Sequence, residues 1–427
     1  MKLIKLLFVS VLLLFVSNAV IAQNYSIENE GQEPLYLDFI FAPKKIKEAV
    51  KVEKKRIKSA PKRTNYIKNE LVLLYANDDV DNISDLLQQY QLDQKSKNSL
   101  PSIRTTMVVA NTNGQNPLTL SQKINKQEKN ILAITNNLFN TASTSFKNAY
   151  SMYETGVSYV HKTTQGEGTT VCMVDTPIDI YHPSLSKAHI ETLDLVKFNP
   201  ENSNSMLHGT AVAGILVSQN THIGIAPKTK LYSVGAFQTS NGTERLHGSS
   251  SNIAKAIDTC IQHKVDVMNL SFTGSRDSLL EKMVTKAIDK RIIVVAAAGN
   301  GGNWGSTIYP ALIPGVITAT AVDEKKHLFS KADKGLFIDY SAPGVNVLTI
   351  APGGKYKLAT GTSISSAHVS GIIALLLSQR RTNNIDVTLA KTVEDLGKPG
   401  RDQMYGEGLI SASNALDIIK ASKSKTH

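Results

Sequence analysis

The sequence predicts an α/β protein, a mostly parallel β-sheet with helices on both faces, preceded by a small α+β module. Three observations predict it. Five short runs, 171–174, 230–234, 265–270, 292–297 and 316–321, are mostly apolar, the pattern of strands buried on both sides. Segments with helical periodicity, 208–218, 250–263, 278–289 and 363–379, are interspersed with them. Parallel strands need such crossovers, because a tight hairpin cannot join them. Residues 150–422 also supply enough chain for one large core.

At the start of the chain, residues 1–22 carry Lys2 and Lys5, an apolar run at 6–16 and the small-residue end Val20-Ile21-Ala22, the layout of a secretory signal. That run is too short to span a bilayer as a helix, and no cysteine follows it to take a lipid. The chain is therefore expected to be exported, to a periplasm, the cell surface or the medium, with no stable membrane span after signal cleavage. An uncleaved anchor is the alternative. Residues 23–64 are polar and basic: between 44 and 63, ten Lys/Arg stand against Glu48 and Glu53, which is +8 of the chain's formal +11. The basic balance belongs to this leader, read as solvated and disordered. For an exported chain, nucleic acid is not an expected partner; an anionic envelope surface is the weaker alternative.

Residues 65–140 change pattern. A strand is expected at 70–75, a helix at 83–90 with Ile83, Leu86, Leu87 and Tyr90 on one face, a strand at 105–110 and a helix at 119–127. This alternation fits a small α+β unit. Residues 136–148 are rich in Asn, Thr and Ser and read as connecting chain, with the linker placed at 141–149, a natural place for proteolytic processing. The large domain, 150–422, ends in an amphipathic helix at 412–419, and 423–427 reads as a loose tail. Cys172, in a buried strand, and Cys260, in an apolar helix, are expected to be free core thiols.

The chemistry gathers around Gly361-Thr362-Ser363-Ile364-Ser365-Ser366-Ala367-His368-Val369-Ser370-Gly371, where a strand-like run feeds a Gly-Thr turn and Ser363 opens a helix. Unpaired N–H groups and the positive dipole end at a helix start would stabilise an oxyanion beside that serine. A serine hydroxyl needs a base to take its proton and a third group to hold the base. Asp175 ends the strand 171–174, at the edge where open α/β sheets place their sites, and His208 stands in the first turn of a helix. Read alone, each residue has a plain structural account: an N-cap, a turn-capping Asp, a first-turn His. Together they run Asp, His, Ser along the chain, an order distinct from those of the chymotrypsin and α/β-hydrolase triads.

With Val294-Val295-Ala296-Ala297-Ala298-Gly299-Asn300 added, four motifs stand in family order, and the chain from about 150 to Gly406-Glu407-Gly408-Leu409 resembles the subtilisin-like serine proteases. The resemblance implies a triad of Asp175, His208 and Ser363, with Asn300 as side-chain oxyanion donor. It implies a cleft with Ser271, Phe272, Thr273 and Gly274 along one wall, Ala297, Ala298 and Gly299 along the other, and Ile308 at the pocket floor. The activity implied is that of a secreted serine endopeptidase working through an acyl-enzyme, probed by protein or peptide substrates and made as a zymogen. Residues 65–140 are similar in pattern and position to the propeptides of secreted subtilases, which chaperone and inhibit their protease. No cofactor is implied and no metal-ligand cluster stands out. Calcium often stabilises this family, but the segment 218–227 is too short for the usual calcium loop, so structural calcium stays open.

Three departures leave room for a subtilase fold that no longer cuts and serves as a binding or scaffold protein. Pro177 replaces the usual glycine after Asp-Thr and removes an N–H near the Asp175 carboxylate. Ala367 replaces a proline in the nucleophile helix, a mild change. Thr273 stands where a glycine usually edges the cleft. A dinucleotide-binding site is excluded, because in Gly299-Asn300-Gly301-Gly302-Asn303-Trp304-Gly305 a tryptophan falls where G-x-G-x-x-G needs its last glycine.

Overall fold

The structure, a computed structural model, describes residues 66–76, 83–103, 105–128, 131–141, 150–198, 202–239, 246–304, 308–379 and 385–424. The expected signal and basic leader lie outside the described residues. The first part of the described chain is β1 (Tyr66–Ala76), α1 (Ile83–Gln89), β2 (Asp93–Leu100), β3 (Thr105–Asn111), α2 (Pro117–Gln127) and β4 (Ile131–Thr141). Strand order is β2-β3-β1-β4, with neighbours antiparallel. Side chains alternate across such a sheet. Leu71, Leu73 and Tyr75 accordingly join Ile83, Leu86, Leu120 and Ile124 in one cluster, while Val72 and Leu74 enter another on the opposite face. Asn116 caps α2, accepting the N–H groups of Leu118 and Thr119.

After two single-turn helices, α3 (Ser151–Glu154) and α4 (Val157–Val160), come β5 (Thr170–Asp175), β6 (Ile190–Asp194), α5 (Leu207–Val217), β7 (Lys230–Gly235), β8 (Phe237–Thr239) and β9 (Leu246–Ser249). There follow α6 (Ser250–Gln262), β10 (Val267–Leu270), β11 (Phe272–Thr273), α7 (Ser278–Asp289), β12 (Ile293–Ala297), β13 (Val316–Val322) and β14 (Tyr340–Pro343). The hairpin β15 (Val347–Ala351) and β16 (Lys355–Ala359) leads into α8 (Thr362–Gln379), and α9 (Ile385–Ala390) and α10 (Ala412–Ser424) close the described chain. No helix among the described residues is long and apolar enough to cross a membrane.

The main sheet has the order β14-β13-β12-β10-β5-β7-β6, every neighbouring pair parallel. From β5 the chain goes to the edge strand β6, returns to lay β7 between them, and then builds outward through β10, β12, β13 and β14 on the other side. The order therefore reverses at β5, and in open parallel sheets the crevice beyond the carboxyl end of that strand is the site. Asp175 stands there. Strand β5 is buried on both faces: Val171 and Met173 enter the cluster with α5 and α8, Cys172 and Val174 the cluster with α6 and α7. Helix α8 is buried from Thr362 to Leu377, its polar Ser, Thr and His residues included.

Three expectations need correction. Cys172 and Cys260 are not free but joined as a disulfide across 88 residues, because α6 covers the face of β5 to which Cys172 points. Residues 136–141, expected as the start of connecting chain, belong to β4. Their polar sequence misled because that end of the strand is held by backbone pairing: Leu138, Phe139 and Asn140 pair antiparallel with Ser249, Gly248 and His247 of β9, and Thr141 and Asn140 with Phe272 and Thr273 of β11. Of the expected linker, 142–149 lies outside the described residues. Helix α10 runs on to Ser424, into what read as the tail.

Candidate active site

The carboxyl end of β5 and the start of α5 are locked together. The Gly209 N–H, an orphan of the helix's first turn, donates to Thr176 Oγ1 at 2.8 Å. Close approach requires a glycine here, since a Cβ on Gly209 would stand 2.4 Å from the Thr176 carbonyl oxygen. This brings His208 to Asp175: His208 Nδ1 lies 2.7 Å from Asp175 Oδ1, with both side chains buried. The same Oδ1 accepts the Thr176 N–H at 2.7 Å. Oδ2 is buried without a hydrogen-bond partner, and the next residue, Pro177, has no N–H to offer it.

Ser363 is the second residue of α8, fully buried, and its Oγ has no hydrogen-bond partner. His208 Nε2 is likewise buried and unpaired. The two groups therefore do not hydrogen-bond each other here. Asn300 Nδ2 is unpaired as well. Its orientation has a cause: Asn300 Oδ1 accepts both the Thr362 N–H and the Thr362 hydroxyl, each at 3.0 Å, which leaves the amide NH2 free. Thr362 Oγ1 in turn accepts the Gly299 N–H at 3.0 Å. The turn after β12 and the start of α8 are thereby braced against each other through Thr362, a role that residue spacing gave no means to read.

Strand β10 approaches the same helix through buried polar groups. Asn269 Nδ2 donates to Ser271 Oγ at 2.7 Å, and Ser271 Oγ donates to the Ser363 carbonyl oxygen at 3.1 Å. Ser271 thus adjoins the nucleophile helix, and Phe272 and Thr273 offer their backbone to β4. The Phe272 ring is fully buried against Phe237, with centroids 5.0 Å apart, so only its main chain is offered to the neighbouring strand. Gly274 pairs with Tyr309, and a Cβ on Gly299 would stand 3.4 Å from Ile308 Cγ2, which sets Ile308 between the two segments expected as walls. Ala297 and Ala298 are fully buried behind the turn. Ala367, within α8, packs in the core. Strand β9, the other edge offered to β4, was not foreseen; its polar Leu246–Ser249 sequence carries no strand pattern.

Two further histidines are structural. His182 Nδ1 accepts the Ser184 N–H and its Nε2 lies 3.0 Å from the Lys355 carbonyl oxygen. His368 is fully buried and its pKa is pushed down to about 4 by desolvation, so it is neutral, with Nδ1–H donating to the Ile364 carbonyl at 2.8 Å. The segment 218–227 is tied to itself: Gln219 Nε2 donates to the Val217 and Pro227 carbonyls at 3.1 and 2.7 Å, and Asn220 Oδ1 accepts the His222 N–H at 3.0 Å. Among the described residues no group of three or more His, Cys, Asp or Glu gathers.

A parallel sheet whose switch-point strand ends in Asp175, hydrogen-bonded to a buried His208, together with a buried helix-start serine and an unpaired amide, supplies the side chains that serine hydrolases use. The comparisons make the class specific. A model described as the subtilase family matches residues 166–408. The thermophilic serine proteinase of Bacillus sp. (strain AK1) is 32% identical over 354 residues, covering 77% of this chain and 85% of that protein. Subtilisin of Bacillus pumilus is 35% identical over 260 residues, 58% of this chain and 91% of that one. The chain belongs to the subtilase family, the serine endopeptidases of subtilisin type. Among solved structures, fervidolysin from Fervidobacterium pennivorans, a keratinolytic enzyme related to subtilisin, shares the fold with a TM-score of 0.71 at 21% identity. That match covers 84% of this chain and 62% of the fervidolysin chain.

Proposed function

We propose that the protein is an exported endopeptidase, made as a zymogen, in which Asp175, His208 and Ser363 act as the triad and Asn300 as oxyanion donor. The observation that carries the reading is the 2.7 Å His208–Asp175 contact together with three buried, unpaired groups, His208 Nε2, Ser363 Oγ and Asn300 Nδ2. Buried polar groups without partners are costly, and a site that holds three of them is one built to be completed by substrate.

In this mechanism His208 Nε2 takes the proton of Ser363 Oγ as the oxygen attacks a peptide carbonyl. Asp175 holds the imidazole through Nδ1–H and stabilises its positive form. The carbonyl oxygen becomes an oxyanion and is met by Asn300 Nδ2 and the Ser363 N–H. His208 then returns the proton to the leaving amine, an acyl-enzyme remains on Ser363, and water, deprotonated by the same His208, releases the acid. Substrate backbone pairs in extended form with Phe272–Thr273 and Leu246–Ser249, a β-augmentation that grips any sequence.

The zymogen reading rests on β4, whose end already occupies that place between β9 and β11. A fluorophosphonate probe tests the whole proposal: it should label processed protein at Ser363, and Ser363→Ala should abolish labelling. Folded, processed protein that stays unlabelled would favour the non-cutting scaffold instead.

A further inference from the structure

We infer that Asp333 is a positioning residue for the oxyanion site, holding the backbone on which Asn300 rides; this rests on Asn300 being the oxyanion donor. Asp333 is 5% exposed and sits inside the turn 299–303. Its Oδ2 accepts the Gly301 N–H at 3.1 Å and its Oδ1 the Asn303 N–H at 2.7 Å. Its own N–H donates to the Gly299 carbonyl oxygen at 3.0 Å. The main chain on either side joins in, with Gly302 N–H to the Lys331 carbonyl at 2.8 Å and Lys334 N–H to the Asn303 carbonyl at 2.9 Å.

Asn300 is thus held twice. Thr362 orients its amide, and Asp333 fixes the peptide units before and after it. The carboxylate lies so close that the turn accepts no side chain at its first residue: Gly299 has φ +104°, and a Cβ there would stand 2.2 Å from Asp333 Oδ2. The negative charge of Asp333 is spent on two backbone donors, which is how a carboxylate is tolerated beside a site that must stabilise an anion.

An oxyanion donor works only if it is in place before the charge develops, and a displacement of about 1 Å can cost on the order of 10²-fold. Removing the carboxylate leaves the Gly301 and Asn303 N–H groups without their acceptor and lets the turn shift. Asp333→Ala should therefore lower kcat by roughly 10- to 100-fold with KM little changed, because the lost interaction belongs to the transition state. Asp333→Asn, which keeps one acceptor oxygen, should fall between.

The test is a double-mutant cycle with Asn300→Ala, measured on a matched peptide series, with a trace of unsubstituted enzyme to complete processing and active-site titration to normalise rates. The expected result is that Asn300→Ala lowers kcat by itself and that Asp333→Ala then adds little further loss. An Asp333→Ala loss of equal size in both backgrounds, or one expressed in KM, would overturn the inference and leave Asp333 a purely structural residue. If Asn300→Ala does not lower kcat, the oxyanion assignment fails first and this inference with it. Where the alanine variant does not fold, Asp333→Asn carries the same cycle, its smaller kcat loss vanishing in the Asn300→Ala background if the inference holds.

Discussion

At the scale of single residues, we propose that Ile308 decides which side chain the cleft takes before the scissile bond. It is 8% exposed, adjoins Gly299, and precedes the Tyr309 that pairs with Gly274. A β-branched side chain in that position cannot easily swing aside, so the pocket is expected to be shallow. Forcing extra volume into a packed site costs about 1–3 kcal/mol, which is roughly 5- to 150-fold in rate. Peptides with Ala or Val before the cut should outrun matched Phe peptides by about that factor in kcat/KM, and Ile308→Gly should restore Phe. A preference for Phe in the unmodified enzyme would remove Ile308 from the pocket floor. Residues such as Asp175, His208, Ser363 and Asn300 were legible because chemistry restricts their type and the motifs restrict their place. Thr362 and Asp333 were not, since a hydrogen bond between a turn and a segment some thirty or sixty residues away leaves no periodic trace.

Among elements, β5 and α6 show both sides of what pattern reveals. Both were expected almost to the residue, because an apolar run and a 3.6-residue period are local properties. Their relation was not. Only the crossover that lays α6 over one face of β5 brings Cys260 onto Cys172, and both sulfurs are fully buried there. Strands β6 and β14 were missed for a different reason, one a polar edge and the other four residues long. In the chain-entropy account, closing a loop of 88 residues stabilises by about 4–5 kcal/mol. Replacing both cysteines with alanine, in a Ser363→Ala background that prevents self-digestion, should therefore lower the calorimetric Tm by roughly 6–8 °C. Thiol titration of the unreduced, denatured protein should find no reactive cysteine among these two. Two titratable thiols, or an unchanged Tm, would return them to the free core residues that composition suggested.

For the whole molecule, the question is why residues 66–141 stay where they are. They fall with the large domain in one compact unit, Asn65–His427. The face of the small sheet that carries Val72, Leu74, Leu100, Met107 and Val109 shares a cluster with Ile253, Ile257 and Leu280 of α6 and α7. Polar contacts add register: Asn136 Oδ1 accepts the Ser251 N–H at 3.2 Å, satisfying an orphan donor of the first turn of α6, and the Ser102 N–H donates to Asp258 Oδ1 at 3.1 Å. Five buried apolar side chains at about 1.5–3 kcal/mol each outweigh the loss of one covalent link, so this module should remain docked after a cut. The end of β4 pairs Thr141 with Phe272, which directly follows Ser271, whose hydroxyl donates to the Ser363 carbonyl. If the protein processes itself, the cut should thus fall just beyond Thr141, within the segment expected as the linker. Ser363→Ala chains, purified away from other proteases, should accumulate at precursor length less the signal. The unsubstituted protein should yield two fragments that co-purify, the larger with its N-terminus a few residues past 141. A Ser363→Ala chain trimmed normally would assign the cut to another protease, and an N-terminus far from 141 would mean that β4 does not lie in the cleft as a substrate does.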